Sequence, residues 1–591
     1  MKLSNYVAEF LARAGIKHVF MLPGGGAMHL CDSLGQHTEL EYICCLHEQA
    51  CAFAAEAYGE FDNNLACVLV TTGPGGTNTL TGVAAAWIES SPVLFLSGQV
   101  KRADSMTRFG VRSMGPQEVD IVSMVKPITK FAARVADPSL IRSHLEEAVY
   151  RATNARKGPV WLDIPLDVQA VDIDPEALQP FVAPNRVKSS FESSIKNIID
   201  RLLIAKRPVI YAGNGVRTSG QGEMLLRLVN RLNAPVLLTW KAADLLPQDH
   251  PTYIGRPGGT GQRAANFVQQ KADWILVLGA RLDLPSIAFN PGDFAPGAYT
   301  TIVDVERSEL SKLEVAADCL IEGDLGEFLP ELVEHLETAS LPDFEDWLKD
   351  SCELKSRFPI VLDEHWKQAG SISTYVLIDV LSKLTGPDDV IVPGSSGPCS
   401  DILMQAWRVK AGQRILNAPG LGAMGTGLPG AIGACIASGR RRTINVNGDG
   451  GFQLNIQELE TARRLNLPIK FFVLENGGYR SIVAMQMNHF NGRLVASEPS
   501  SGLTLPNVAR VAEAYGIPSF TASEAVELEK TIQRILLSEG PALCVVKTAL
   551  TEATMPRCTS EIRPDGTVVS KPMHDMWPFL DPVEIDKIMR L

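Results

Sequence analysis

Short apolar and β-branched runs recur along the whole chain, at residues 65–70, 93–97, 160–164, 208–212, 274–278, 301–305, 390–392, 443–446 and 469–474, with longer helical patterns between them. Strands of that kind are apolar on both faces, so they belong in parallel sheets covered by helices on each side. The expected class is α/β, with three doubly wound parallel-sheet domains at 1–170, 190–340 and 370–555 and a C-terminal tail at 556–591. A polar, proline-containing stretch at 172–194 reads as one linker and a charged stretch at 337–371 as the other, with Trp347 and Trp366 in short helical fragments. A length of 591 residues suits that division, and no short-period repeat offers an alternative.

Charge narrows the partners. With 55 Lys+Arg against 67 Asp+Glu the formal charge is −12, and no Lys/Arg run interrupts that balance, so neither nucleic acid nor membrane is an expected partner. Residues 1–20 read as an amphipathic helix carrying Glu9 and Arg13 and not as a signal peptide, and no run reaches the ~18 apolar residues of a membrane span. The 11 cysteines form no CxxC and no regular spacing, which is the usage of a reduced, cytoplasmic protein. Small-molecule substrates are the expectation.

Chemistry concentrates in two segments about 400 residues apart. The first is Gly448-Asp449-Gly450-Gly451, just past the run 443–446, followed 27 residues after Asp449 by Asn476, just past the run 469–474. Glycines at Gly448, Gly450 and Gly451 let backbone N–H groups approach a phosphate at a helix start. One carboxylate, one amide oxygen and a nearby carbonyl, brought to one edge of a parallel sheet, form a hard-oxygen site suited to Mg²⁺ on a diphosphate. Taken alone, Gly-Asp-Gly is more often a tight turn. The second segment is Leu46-His47-Glu48-Gln49-Ala50-Cys51-Ala52, whose plainest reading is a small-residue helix packed on a sheet, with Glu48 at its N-terminus where the helix dipole favours a carboxylate.

Together these segments resemble the thiamine-diphosphate enzymes. That resemblance implies metal ligation by Asp449, Asn476 and the backbone of Gly478, with Tyr479 beside them, and it makes Glu48 the buried carboxylate that protonates the aminopyrimidine. Glu475 stands where the family often has a second Asn. By the same resemblance Met424 is the apolar residue under the bent cofactor, Gly422 offers it a carbonyl, Ser395 and Ser396 donate to the diphosphate, and Gly73 and Asn78 of Gly73-Pro74-Gly75-Gly76-Thr77-Asn78 flank it. Within the family the chain is most similar to acetolactate (acetohydroxyacid) synthases. Their loop near the reacting carbon is matched by Pro23-Gly24-Gly25-Gly26, so Pro23 and Gly26 join the expected site. So does Gln117, although Pro116 replaces the preceding Phe.

Decarboxylation of a 2-keto acid leaves a carbanion whose fate depends on whether a proton donor or a second carbonyl meets it. Simple decarboxylases of the superfamily place adjacent histidines there, and none of the 10 histidines here adjoins another. The reading is therefore a carboligase that decarboxylates a 2-keto acid, pyruvate first, and adds the acyl group to a carbonyl acceptor. Met485 occupies the place of a synthase Trp, which leaves a larger acceptor such as a keto sugar open. A decarboxylase or C–C lyase is the alternative inside the family; a flavin or nicotinamide oxidoreductase, or a silent regulatory homologue, is the alternative outside that chemistry. In the synthases the middle block holds FAD, and Gly213-Asn214-Gly215 and Gly279-Ala280-Arg281 lie at similar places, with Arg281 placed to meet a phosphate. An empty domain or another nucleotide remains the alternative to FAD. Because Glu48 and Asp449 fall in different blocks and must meet one cofactor, the resemblance implies a homodimer or homotetramer with the site between subunits, with a site inside one chain as the alternative.

Overall fold

The computed structural model describes residues 1–185, 189–312 and 315–590. Three six-stranded sheets, parallel throughout, make up its framework. The first contains β1 (His18–Met21), β2 (Glu41–Cys44), β3 (Ala66–Val70), β4 (Val93–Gln99), β5 (Phe131–Arg134) and β6 (Val160–Pro165), in the order β2-β1-β3-β4-β6-β5. The second contains β7 (Pro208–Ala212), β8 (Val236–Leu238), β9 (Tyr253–Gly255), β10 (Trp274–Leu278), β11 (Tyr299–Asp304) and β12 (Cys319–Glu322), in the order β12-β11-β10-β7-β8-β9. The third contains β13 (Val390–Pro393), β14 (Arg414–Ile415), β15 (Thr443–Gly448), β16 (Ile469–Glu475), β17 (Ser519–Ala522) and β18 (Ala542–Lys547), in the order β14-β13-β15-β16-β18-β17.

The first and third sheets thus share one strand order, whereas the middle sheet has the dinucleotide-fold order. Central strands such as Ala66–Val70 and Trp274–Leu278 are buried at every position, which is why they read as unbroken apolar runs. The first helix, Leu3–Arg13, buries Leu3, Val7 and Leu11 on one face, as its amphipathic pattern requires.

The outer domains meet through small residues. Helix Glu48–Asp62, rich in alanine, packs on helix Gly427–Ala437, and a Cβ on Gly433 would lie 1.9 Å from the Ala54 carbonyl oxygen. Only glycine permits that backbone approach. Two side-chain bonds close the same seam: Leu46 N–H donates to Glu458 Oε1 at 2.9 Å, and Asn455 Nδ2 donates to Gln49 Oε1 at 3.1 Å.

Of the linker expected at 172–194, residues 186–188 lie outside the described residues, and helix Glu192–Leu202 begins within its end. The stretch 337–371 holds helix Glu345–Arg357, with Trp347 buried and its indole N–H donating to the Pro208 carbonyl at 3.1 Å. Past β18 the tail returns to the middle domain. Cys558 N–H donates to Gly259 O at 2.7 Å, Arg263 donates to the Met576 and Pro578 carbonyls at 3.2 and 2.6 Å, and Asn266 Nδ2 donates to Met573 O at 2.8 Å. The tail also forms an antiparallel pair, β19 (Ser560–Ile562) with β20 (Val568–Ser570), and ends in helix Pro582–Arg590, whose Ile588 enters the core around Phe267. All 11 cysteines are free, and no helix among the described residues is long and apolar enough to cross a membrane.

Candidate active site

In a doubly wound sheet, ligands bind beyond the carboxyl ends of the strands where the order reverses. Here that point lies between β1 and β3, between β7 and β10, and between β13 and β15. At each one, glycines let two loops touch. Gly26 N–H donates to Thr71 Oγ1 at 3.1 Å, and a Cβ on Gly26 would lie 1.8 Å from Thr72 Oγ1. A Cβ on Gly213 would lie 2.3 Å from Gly279 O, and one on Gly394 would lie 2.5 Å from Asn447 Oδ1.

The first reversal point gathers the residues expected around the reacting carbon. Glu48 begins its helix, is 7% exposed, and accepts a hydrogen bond from Asn78 Nδ2 at 2.9 Å. Asn78 closes the short helix Pro74–Asn78 that follows β3, and Gly73 precedes it with φ +66°. Gln117 packs its backbone on Gly73, where a Cβ would lie 2.0 Å from the Gln117 carbonyl oxygen; its side chain is exposed. Pro23 is exposed at the mouth, and Gln169 Nε2 donates to Gly26 O at 2.8 Å. His47, the one histidine beside the motif, caps the helix: its Nδ1 accepts from Gln49 N–H at 3.0 Å.

The third reversal point gathers the residues expected to meet phosphate and metal. Asp449 is 2% exposed and starts helix Asp449–Gln453. Its Oδ1 accepts from Gly450 N–H at 2.8 Å, and its Oδ2 accepts from Asn476 N–H at 3.0 Å and Gly477 N–H at 2.8 Å. Burial pushes this carboxyl above its usual range, against the pull of those N–H donors. Gly478 N–H donates to Asn476 Oδ1 at 3.1 Å, which turns the Gly478 backbone into the same loop. Tyr479 lies against Gly450, where a Cβ would meet its Cε1 at 2.4 Å and the Met424 Cε at 3.7 Å. Gly422, at φ +61°, faces the Ser395 carbonyl, 3.8 Å from its own Cβ position.

Among the described residues no group of three or more His, Cys, Asp or Glu side chains is placed to hold a metal ion. A cation here would take a single buried carboxylate together with the Asn476 amide oxygen and the Gly478 carbonyl, a donor set for Mg²⁺ and not for a softer metal. The fit is good, since a bound divalent cation favours the ionised form that burial opposes at Asp449.

A cavity of about 810 Å³ runs from the middle reversal point, at Gly215 and Arg281, to the loops carrying Ser395, Ser396 and Gly422. Its size suits a dinucleotide. Arg281 lines it but is partly engaged, with Nη1 donating to Ile88 O at 3.0 Å and Nη2 to Asp283 Oδ2 at 3.2 Å. Three wall residues were not legible in the sequence. Asp401, one turn into helix Pro398–Ala406, has its carboxyl pushed up to about 7 by burial. Glu89 and Lys241, from the first and middle domains, face each other at 3.4 Å. No local motif marks them; a charged residue closing an otherwise apolar helix, as Glu89 does, is the only available signal.

Glu48 lies outside the walls of this cavity, and its side-chain partner is Asn78 of its own domain. Asp449 is likewise absent from those walls and takes its bonds from Gly450, Asn476 and Gly477 of its own domain, so two half-sites result, one around Glu48 and one around Asp449.

Two half-sites on like-ordered sheets, separated by a dinucleotide-type domain, define a three-domain cofactor enzyme, and comparison with known proteins specifies which. Residues 1–124 match the thiamine pyrophosphate enzyme N-terminal TPP binding domain, 195–332 the central domain, and 395–546 the C-terminal TPP binding domain. The chain belongs to the thiamine pyrophosphate enzyme family. It is 31% identical over 556 residues (94% of this chain, 95% of the relative) to the acetolactate synthase isozyme 1 large subunit of Escherichia coli. It is 29% identical over 572 residues (96% of each) to the acetolactate synthase large subunit of Lactococcus lactis. A probable acetolactate synthase large subunit of Methanocaldococcus jannaschii is 31% identical over 553 residues, covering 92% of this chain and 91% of that protein.

Proposed function

We propose that the protein is an acetolactate synthase-like carboligase, which decarboxylates pyruvate and joins the resulting two-carbon unit to the carbonyl of a second 2-keto acid. The observation that carries this reading is the similarity along nearly the whole chain to acetolactate synthase large subunits, together with a buried Glu48 and an Asp449–Asn476 pair at the two reversal points. Glu48 is buried at its helix start and fastened by Asn78, and the adjacent His47 caps the same helix through Nδ1.

Thiamine diphosphate, when bound, supplies the carbon nucleophile; the chain's own residues do the rest. Glu48 holds a proton at the ring nitrogen of the aminopyrimidine, with Asn78 fixing its carboxylate. Asp449, the Asn476 amide and the Gly478 carbonyl hold Mg²⁺, and the N–H groups of Gly450 and Gly451, with Ser395 and Ser396, meet the diphosphate. Gly422 and Met424 support the cofactor from the side of Tyr479, and Pro23, Gly26 and Gln117 border the reacting carbon. The 810 Å³ cavity has room for FAD, and Arg281 on its wall would be the residue to meet its phosphates. Two chains pair so that the Glu48 half of one faces the Asp449 half of the other, in a cytoplasmic homodimer or homotetramer. The exposed apolar side chains Met424 (36%), Leu454 (50%), Ile482 (40%) and Met485 (41%) on the C-terminal half support that pairing.

The test is incubation of the purified protein with pyruvate, Mg²⁺ and thiamine diphosphate, with and without FAD, and mass analysis of the products. Acetolactate that requires thiamine diphosphate is the expected result. Carbon dioxide and acetaldehyde with no ligated product would overturn the carboligase reading.

A further inference from the structure

The loop from Asn417 to Gly425, between β14 and helix Gly427–Ala437, carries Gly422 and Met424, yet its base is held by side chains of the other two domains. Glu89, the last residue of helix Leu80–Glu89, accepts the Gly420 N–H on Oε1 at 2.6 Å. Lys241, in the turn Trp240–Ala242 of the middle domain, donates from Nζ to the Asn417 carbonyl at 2.7 Å. The same ammonium lies 2.8 Å from Glu60 Oε1 and 3.4 Å from Glu89 Oε2, so the two anchors are paired with each other. Asn417 Nδ2 returns a bond to Trp240 O at 3.1 Å. Gly420 is pressed against its support, where a Cβ would lie 2.4 Å from Ile88 Cγ2.

These are charge-assisted hydrogen bonds in a buried setting, where they are stronger and more directional than at a surface. Glu60 and Glu89 are 5% and 6% exposed, and three acids gather around one ammonium. The third, Glu56, which burial pushes up to about 8, accepts from Ser91 Oγ at 2.8 Å, while the ammonium contacts Glu60 and Glu89. A carboxylate oxygen of Glu89 and an ammonium proton of Lys241 thus both end on the loop's backbone, at Gly420 N–H and Asn417 O.

We propose that Glu89 and Lys241 are positioning residues for thiamine diphosphate, which fix the 417–425 loop from two other domains so that the Gly422 carbonyl and the Met424 side chain are preset for the cofactor. The inference rests on reading Gly422 and Met424 as the cofactor's supports. Preset geometry lowers the ordering cost of binding, so its loss weakens cofactor affinity and leaves the chemical step of the loaded enzyme nearly intact.

The test measures the thiamine diphosphate Kd of the full-length protein with Mg²⁺ present, by quenching of intrinsic fluorescence, alongside KM for the cofactor and kcat at saturation. Glu89→Ala is expected to raise Kd and KM roughly 10-fold, the worth of one hydrogen bond to a charged group, with kcat within about 3-fold. Glu89→Gln, whose amide oxygen still accepts from Gly420, is expected to restore affinity to within about 3-fold. An unchanged Kd in Glu89→Ala, with Met424→Ala binding weakly, overturns the inference and leaves the reading of the loop standing. An unchanged Kd in Met424→Ala removes that reading and the inference with it. Should Glu89→Ala fail to fold, Lys241→Met decides: a raised Kd supports the inference, an unchanged one overturns it.

Discussion

The first and third sheets have the same strand order and place their site residues at the same reversal point, yet one presents Glu48 and the other Asp449. The difference lies in what holds each carboxylate. Glu48 is bound by a single side-chain amide, which leaves its remaining oxygen free to share a proton. Asp449 is bound by three backbone N–H groups, which aim it and offset part of the burial that raises its pKa. On the proposed reading, an identical framework supports proton handling at one edge and cation binding at the other, and that reading rests on those few contacts and not on the fold.

Exchanging the properties of the two carboxylates tests that contrast most severely. Glu48→Gln is expected to lower turnover by about 10²–10⁴-fold while thiamine diphosphate and Mg²⁺ still bind, whereas Asp449→Asn is expected to lose metal affinity by at least about 10–100-fold. Calorimetric titration of both variants alongside product assays separates the two outcomes; equal loss of binding in both would erase the distinction. If the halves face each other across subunits, co-expressed Glu48→Gln and Asp449→Asn chains should regain activity that neither has alone, because a mixed dimer contains one intact pair. Mixing that restores nothing would place both halves within one chain.

A smaller effect probes the seam between the two domains. Gly433→Val pushes a side chain into the Ala54 carbonyl and is expected to cost about 1–3 kcal/mol, read as a lower thermal midpoint. The smallest is a pH effect at Glu56, which donates no bond to either half-site and accepts one from Ser91 Oγ at 2.8 Å. Its pKa rises on folding to about 8, so its contribution to stability is fully present below its ordinary value near 4.5 and is lost as pH climbs toward 8. Glu56→Gln removes that loss. Its melting temperature relative to the parent should therefore be higher at pH 8.5 than at pH 5, by roughly a few degrees.

Much of the framework was legible because fully buried parallel strands leave an unmistakable record: 274–278 and 469–474 coincide with β10 and the bulk of β16. The meeting of Asp449 and Asn476 was legible as well, since they follow the adjacent strands β15 and β16 at a fixed spacing. The Glu48–Asn78 bond, 30 positions apart, left a motif at each end but no sign of their contact. Helix Glu48–Asp62 reads as packed on a sheet; its alanines also admit helix Gly427–Ala437 from a domain more than 360 residues further on, a partner no periodicity reveals. Glu89 and Lys241 were invisible for the same reason, because the charge that justifies burying each of them comes from another domain.

The returning tail gives the molecule its thermodynamic grain. Residues 558–578 bond to the middle domain at Gly259, Arg263 and Asn266, although the chain reaches them only after completing the third sheet. The middle domain is thus sandwiched in sequence but fastened from beyond, and it cannot melt without releasing the end of the chain. Calorimetry should therefore resolve fewer transitions than sheets, and deletion of the tail should split off a lower-melting step belonging to the middle domain.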